Sequence, residues 1–138
     1  MSKKDKIIKF VDLFAGLGGI RLGFQQALAD YGLKGKCLYT AEIKPHALRA
    51  YNHNFPGENV KYTNVTEIQK SDIDSFNILL GGFPCQAFSL AGQRMGFEDN
   101  YKGLCRGTLF MDVARICEYH KPKVIFCENV KGLTIHDR

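Results

Sequence analysis

The sequence predicts an α/β fold in which a mostly parallel sheet carries helices on both faces. Three observations support this prediction. Short apolar segments typical of buried strands alternate with segments whose apolar residues recur at helical spacing. A cluster of three glycines, Gly16, Gly18 and Gly19, follows the first apolar segment directly. The segment FNILL at residues 76–80 has the apolar character of a strand that is covered on both faces.

The first half of the chain predicts three strands and two helices. A strand is expected at Lys6–Phe14 (KIIKFVDLF), which is rich in Ile, Val and Phe and is closed by the glycine cluster. A stripe of apolar residues predicts a helix over Gly18–Tyr31. The next strand is expected at Lys36–Ala41, and a second helix at Pro45–Asn54, with proline in its first turn. A third short strand is expected at Asn59–Tyr62.

The second half predicts two more strands on either side of a long loop and a helix. The fourth strand is Phe76–Leu80, and the polar stretch Gly81–Gly107 follows it. Loops of this length inside compact domains tend to be functional. A helix is expected at Thr108–Tyr119 and a fifth strand at Lys123–Cys127. Alternation of strands and helices in this order is typical of a parallel sheet between helical layers.

The composition is that of one ordinary globular domain. The chain has 138 residues, 45% of them hydrophobic, and a formal net charge of +5, which excludes wholesale disorder and low-complexity classes. No apolar run approaches the roughly 20 residues of a membrane span, and the charged start does not resemble a secretory signal, so a cytoplasmic location is expected. The five cysteines include no Cys-x-x-Cys pair, which predicts no metal site, and the lack of an export signal predicts reduced thiols.

Residues at the carboxyl ends of the strands are the candidates for ligand binding, because open parallel sheets bind ligands there. The three glycines after the first strand would let the backbone approach a ligand closely. Glu42 follows the second strand, at the place where nucleoside-binding sheets carry an acid that accepts hydrogen bonds from ribose hydroxyls. Together they favour an adenosyl-type ligand. A tight structural turn and a solvated glutamate are the alternatives.

Two further strand ends carry residues suited to covalent chemistry. Cys85 follows the fourth strand on a turn stiffened by Pro84, where a nearby cation or helix start would favour the thiolate. Glu128 follows the fifth strand directly, in a position to act as a general acid. If the two strands are neighbours, both groups face one crevice and could act together on an electrophilic ring. A small packed cysteine is the alternative for Cys85.

Five segments in a fixed order resemble the DNA (cytosine-5)-methyltransferases. The glycine segment is similar to the first cofactor motif of that family, and the segment with Glu42 to the second. The segment around Cys85 resembles the cysteine motif, Arg106–Phe110 resembles the exit of the mobile catalytic loop, and the segment at Glu128 the glutamate motif. The five segments read DLFAGLGGIRLGF, AEIKPHALRAYNHNF, GGFPCQAFS, RGTLF and ENV.

This resemblance implies a Rossmann-like methyltransferase fold, S-adenosylmethionine as the cofactor and a cytosine flipped out of double-stranded DNA as the substrate. Cys85 would attack C6 of cytosine while Glu128 contacts N3 and the exocyclic amine, and C5 would take the methyl group. Asn129 would hold the turn that carries the cysteine. The implied cofactor-binding residues are Phe14, Gly16, Leu17, Gly18, Gly19, Glu42, Ile43, Asn64, Pro84 and Leu109.

The resemblance also assigns residues 86–106 to the loop that closes over DNA. Polar and basic side chains in this loop are candidate DNA contacts, and Arg106 is the strongest candidate for a phosphate contact. A solvated loop with ordinary charges is the alternative. The candidate contacts are Gln86, Ser89, Gln93, Arg94, Lys102 and Arg106.

The sequence departs from the family pattern in three places. Asn64 stands where the family often has an aspartate that accepts a hydrogen bond from the adenine amino group, although the Asn carbonyl can accept the same bond. The loop between Asp99 and Arg106 is a few residues longer. The family motifs that follow ENV, including the target-recognition region, do not occur in this sequence. We therefore expect residues 1–138 to form a partial catalytic domain that lacks the target-recognition domain, with a sheet left incomplete at the fifth strand.

Several interpretations remain open. The chain could be a subunit completed by a second chain that carries the target-recognition region, a fragment, or the product of a broken gene. The chain would then be either an enzyme of a restriction–modification system or an S-adenosylmethionine-binding remnant that is inactive alone. RNA methylation is a third possibility, although Phe83-Pro84-Cys85-Gln86 looks like the DNA-directed members. A nicotinamide dehydrogenase is disfavoured by the glycine spacing.

Overall fold

The computed structural model describes residues 6–84, 100–101, 104–105 and 109–129, the two pairs in the middle by their backbone alone. Two short 3₁₀ helices, Val65–Glu67 and Lys70–Asp72, lie between the second helix and the third strand. The strands and helices are β1 (Ile7–Leu13), α1 (Gly19–Asp30), β2 (Lys34–Ala41), α2 (Pro45–Asn54), β3 (Ile78–Gly81), β4 (Asn100–Tyr101), β5 (Leu104–Cys105), α3 (Leu109–His120) and β6 (Val124–Cys127).

Four strands form a parallel sheet in the order β2-β1-β3-β6. The chain starts in the middle of the sheet, adds β2 on one side of β1, and then adds β3 on the other side. The order therefore reverses between β1 and β3, and open α/β sheets bind ligands outside the carboxyl ends of the strands at such a point. Strands β4 and β5 form a separate antiparallel pair.

Helices cover both faces of the sheet, which confirms the predicted fold class. On one face, the Phe10 ring of β1 meets Phe24 of α1 edge to face, with 5.0 Å between the ring centroids. On the other face, Val11 and Leu13 belong to the main apolar core with Val113 and other residues of α3. This alternation along β1 is the two-residue period of a strand that is buried on both sides.

The predicted third strand at Asn59–Tyr62 is wrong. The Asn52 side chain on α2 takes up both backbone groups of Val60, accepting from its N–H at 2.7 Å and donating to its carbonyl at 2.9 Å. With its backbone groups satisfied in this way, the segment runs as irregular chain into the two 3₁₀ helices. Val65 and Ile68 from this region fill the core where a strand was expected.

Asn77, just before β3, sets the alignment of three strands at their amino ends. Its N–H donates to the Lys9 carbonyl at 2.8 Å, and its side-chain oxygen accepts from the Lys9 N–H at 3.0 Å. Its carbonyl accepts from the N–H of Lys123 at 2.8 Å. Because β1, β3 and β6 are aligned at one end of the sheet, their carboxyl ends also finish together at the other.

Strand β6 lies at the end of the strand order, as the sequence predicted for an incomplete sheet. Its side chains Val124, Ile125 and Phe126 are each about half exposed, and among the described residues no strand pairs with its outer edge. None of the helices in the described ranges is long and apolar enough to cross a membrane.

Candidate functional site at the carboxyl ends of the strands

A turn of irregular backbone at residues 14–18 connects β1 to α1. Gly16 and Gly18 have φ values of 57° and 91°, in the left-handed region that glycine adopts without strain. Phe14 also has a positive φ, 56°, which is strained for a bulky residue and is found most often at functional sites. A Cβ on Gly16 or on Gly19 would meet no atom within 4 Å, so the turn presents its backbone to open space.

Glu42 ties this turn to the start of α2. One carboxylate oxygen accepts a hydrogen bond from the Gly16 N–H at 2.7 Å, and the other accepts from the N–H groups of Ile43 and Lys44, both at 2.8 Å. The side chain is 8% exposed. A carboxylate has about four acceptor positions, so roughly one remains for a ligand hydroxyl after these three bonds.

Of the other predicted cofactor residues in the first half, Leu17 lies in the turn, Ile43 directly follows Glu42, and Asn64 follows Thr63, whose N–H donates to the Glu42 carbonyl at 3.0 Å. Leu17 is largely exposed, Ile43 is half-buried and Asn64 is buried. The Asn64 side-chain carbonyl accepts the Thr66 N–H at 3.1 Å and so caps the first 3₁₀ helix. This bond occupies one lone pair of the oxygen that the sequence predicted for the adenine amino group, and the second lone pair remains.

An irregular segment, residues 82–84, follows β3 beside the end of β6. The register pairs Gly81 with Cys127, and the Glu128 N–H donates to the Gly81 carbonyl at 3.0 Å. A Cβ on Gly82 would lie 3.7 Å from a carboxylate oxygen of Glu128 and 3.1 Å from Ile20 in the first turn of α1. Glycine at this position therefore allows the backbone to pass between Glu128 and the first turn of α1.

A hydrogen bond and a ring contact fix the backbone of residues 82–84. The Asn129 side-chain N–H donates to the Phe83 carbonyl at 3.0 Å, two residues before Cys85 in the chain. The Phe83 ring lies 5.5 Å from the Phe110 ring of α3, next to the buried Leu109, and Pro84 is half-buried. The first described range ends at Pro84. Cys85 and the candidate DNA contacts Gln86, Ser89, Gln93, Arg94, Lys102 and Arg106 lie outside the described residues.

A buried polar network that the sequence did not reveal lies next to the glycine-rich turn. Tyr51 of α2 donates to Oδ2 of Asp12 at 3.2 Å and accepts from Nη1 of Arg21 at 2.8 Å. Arg21 also pairs with Glu58 at 2.6 Å. Asp12, Arg21 and Tyr51 are all at least 96% buried. The sequence offered two signals of this network. Asp12 is a charged residue within the apolar strand segment KIIKFVDLF, and Arg21 lies beside the apolar stripe of the predicted helix.

Burial raises the pKa of Asp12 from 3.8 to about 6, even though the Tyr51 hydroxyl and the Arg21 charge act in the opposite direction. A raised carboxyl pKa means that the folded state holds its proton more tightly than the unfolded state does. The free energy of unfolding therefore falls as the pH rises from about 4 to about 6, and the ionised carboxylate costs roughly 3 kcal/mol above that range.

We expect Asp12→Asn to raise the free energy of unfolding by up to about 3 kcal/mol at pH 7.5 and to change it little near pH 3.5. The amide keeps the acceptor for Tyr51 but cannot ionise. Urea unfolding followed by circular dichroism at both pH values measures the difference. Asp74→Asn, at an exposed carboxyl, is the control, and an equal gain at both pH values would contradict the assignment.

Known proteins match this chain in sequence and fold. Type II methyltransferase M.NlaIV from Neisseria lactamica is 55% identical over 131 residues, covering 95% of this chain and 30% of the relative. Type II methyltransferase M.HhaI from Haemophilus parahaemolyticus is 45% identical over 130 residues, covering 94% of this chain and 36% of the relative. The chain thus spans about a third of the length of the curated relatives it matches.

A crystal structure of a mutant DNMT2 from Spodoptera frugiperda shares the fold, with a TM-score of 0.68 at 23% identity over 94% of this chain and 38% of that chain. The sequence profile of the C-5 cytosine-specific DNA methylases matches residues 8–138. That match includes the glycine-rich turn, residues 82–84, Glu42 and Glu128. The chain therefore belongs to the C-5 cytosine-specific DNA methylase family.

Proposed function

We propose that the chain is the amino-terminal catalytic portion of an enzyme that transfers a methyl group from S-adenosylmethionine to C5 of cytosine in double-stranded DNA. The observation that carries this proposal is the neighbouring position of β3 and β6. Their paired ends bring Glu128 beside Gly82, three residues before Cys85 in the chain. This arrangement supports a shared site for the thiol and the carboxyl group.

The glycine-rich turn fits S-adenosylmethionine. Its backbone faces open space at Gly16 and Gly19, where side chains would otherwise stand. Among the described residues, no side chain caps the start of α1, so the first N–H groups of that helix are available to the carboxylate of the cofactor. Glu42 keeps an acceptor position for a ribose hydroxyl. Phe14, Leu17, Ile43, Asn64, Pro84 and Leu109 would provide the remaining walls of the cofactor site.

The proposed chemistry assigns one role to each of two residues. The thiolate of Cys85 adds to C6 of a flipped cytosine, and the S–C6 bond places electron density on C5. Glu128 contacts N3 and the exocyclic amine and holds a proton at N3 during this addition. When bound, the cofactor supplies the methyl group that C5 takes. C5 then loses its proton, and elimination of the thiolate breaks the S–C6 bond and restores the ring.

The remaining parts of the proposed function concern the partners. Gln86, Ser89, Gln93, Arg94 and Arg106 are proposed to contact DNA. Because the relatives are about three times as long as this chain, we propose that a second chain can supply the target-recognition region. The relatives are named type II methyltransferases, which supports a role in a restriction–modification system in the cytoplasm.

Methyl transfer tests the proposal directly. The purified chain is mixed with methyl-labelled S-adenosylmethionine and duplex DNA, with and without a second chain comprising the remaining part of M.NlaIV. We expect label in DNA cytosine when the second chain is present. Calorimetric titration with S-adenosylhomocysteine measures cofactor binding separately. Binding without transfer in either arm would favour the inactive remnant, and label in transfer RNA instead of DNA would favour RNA methylation. Absence of cofactor binding would refute the proposed site.

A further inference from the structure

The hydroxyl of Tyr51 joins three elements of the fold at a fully buried point. It donates to Asp12 on β1 and accepts from Arg21 on α1, and it lies 3.2 Å from the Thr40 hydroxyl on β2. A phenolic hydroxyl has one proton and two lone pairs, so these three partners use its full hydrogen-bonding capacity. The hydroxyl therefore fixes α2 against two strands and one helix.

The same face of α2 touches the glycine-rich turn. The Asn54 side-chain N–H donates to the Leu17 carbonyl at 2.9 Å. The Phe55 ring occupies the space beside Gly18, where a Cβ would lie 2.2 Å from the ring. Asn54 and Phe55 follow Tyr51 by three and four residues, so all three lie on one side of the helix end.

Phe55 is itself held by the network. Its ring centroid lies 4.8 Å from that of Tyr51, and the Arg21 guanidinium stacks on it at 4.1 Å. A shift of Tyr51 would move the Phe55 ring and the Asn54 amide together. Both groups contact the turn, Asn54 at Leu17 and Phe55 at Gly18. The contacts thus run without interruption from the buried hydroxyl to the backbone of the turn.

We propose that Tyr51 is a positioning residue, whose hydroxyl holds the glycine-rich turn in the conformation that binds the cofactor. The proposal rests on the proposed function for the identity of that cofactor. It assigns Tyr51 no contact with the ligand or with the reacting atoms. The residue acts through Asn54 and Phe55.

Tyr51→Phe tests the proposal because it removes the hydroxyl and leaves the ring against Phe55. At a temperature where both proteins are fully folded, we expect about a tenfold loss of affinity for S-adenosylhomocysteine, which corresponds to a turn that adopts its binding conformation about one tenth of the time. Without any ligand, we also expect faster hydrogen exchange at the amides of Gly16 and Gly18, which donate to Glu42 and to the Ala15 carbonyl. Tyr31→Phe, which removes a hydroxyl from a side chain that is 84% exposed, should change neither quantity.

The two measurements separate this inference from the proposed function. If the parent chain does not bind S-adenosylhomocysteine, the proposed function fails, and the exchange measurement still decides whether Tyr51 positions the turn. Unchanged exchange in Tyr51→Phe would overturn the inference. Should that variant not fold, Asn54→Ala removes the direct bond to Leu17, and it is expected to speed exchange at the same amides. Unchanged exchange in Asn54→Ala would overturn the inference equally.

Discussion

Cys85→Ser is expected to abolish covalent trapping of the assembled enzyme on DNA that contains 5-fluorocytosine. The fluorine at C5 cannot leave as a proton does, so a normal thiol adduct at C6 persists and can be seen as a shifted band on a denaturing gel. A serine hydroxyl is almost fully protonated near neutral pH and is a far weaker nucleophile than a thiolate. The adduct should therefore disappear altogether.

Cys117→Ser is the matched control for this experiment. Cys117 is a free, half-buried thiol on α3, and burial raises its pKa to about 11, which keeps it protonated and unreactive. We expect the adduct to form normally in this variant. A persistent adduct in Cys85→Ser would remove Cys85 from the nucleophile role, and loss of the adduct in both variants would indicate a general folding defect.

The second large effect is expected at Arg21, where Arg21→Met should lower the free energy of unfolding by about 3–5 kcal/mol. The Arg21 side chain is 5% exposed and pairs with Glu58, while its charge also stabilises the buried carboxylate of Asp12. Methionine fills much of the same space but leaves Asp12 without a cation and Tyr51 without one of its two donors. The free energy of unfolding of a typical domain is about 5–15 kcal/mol, so such a loss is a large part of it.

Urea unfolding measures this loss, and Arg49→Met on the exposed side of α2 provides the control. The double variant Arg21→Met/Asp12→Asn should recover part of the lost stability, because it removes the buried carboxylate that the single variant leaves unpaired. A loss below about 1 kcal/mol for Arg21→Met, comparable with an exposed ion pair, would contradict the importance of the buried network.

Much of the fold could be predicted because its signals are local. The helix at Pro45–Asn54 has the same bounds in the structure, since the proline fixes its first turn. Strand β2 begins at Lys34 rather than Lys36. It lies at the edge of the sheet, where exposed lysines alternate with half-buried residues, so its first residues carry no apolar signal. The strand expected at Asn59–Tyr62 does not form because the Asn52 side chain, eight positions before Val60, satisfies the backbone groups of Val60, and the sequence pattern carries no signal of these bonds.

The candidate site likewise has a part that could be predicted from the sequence and a part that could not. The glycines and Glu42 follow strands directly, so their positions could be read from the order of elements, and the structure joins Gly16 to Glu42 by a hydrogen bond. The network at Tyr51 could not be predicted, because its partners Arg21 and Asp12 are 30 and 39 positions away in the chain. Only the packing of α1 and α2 on the same face of β1 brings these three groups together.

Strand β6 also determines how the chain will behave in a concentrated solution. Its half-exposed valine, isoleucine and phenylalanine flank backbone amide and carbonyl groups that no described strand engages on the side away from β3. Two molecules that meet along such edges can extend one sheet into the other. Turbidity should therefore rise with protein concentration, and a lysine in place of Ile125 should delay its onset.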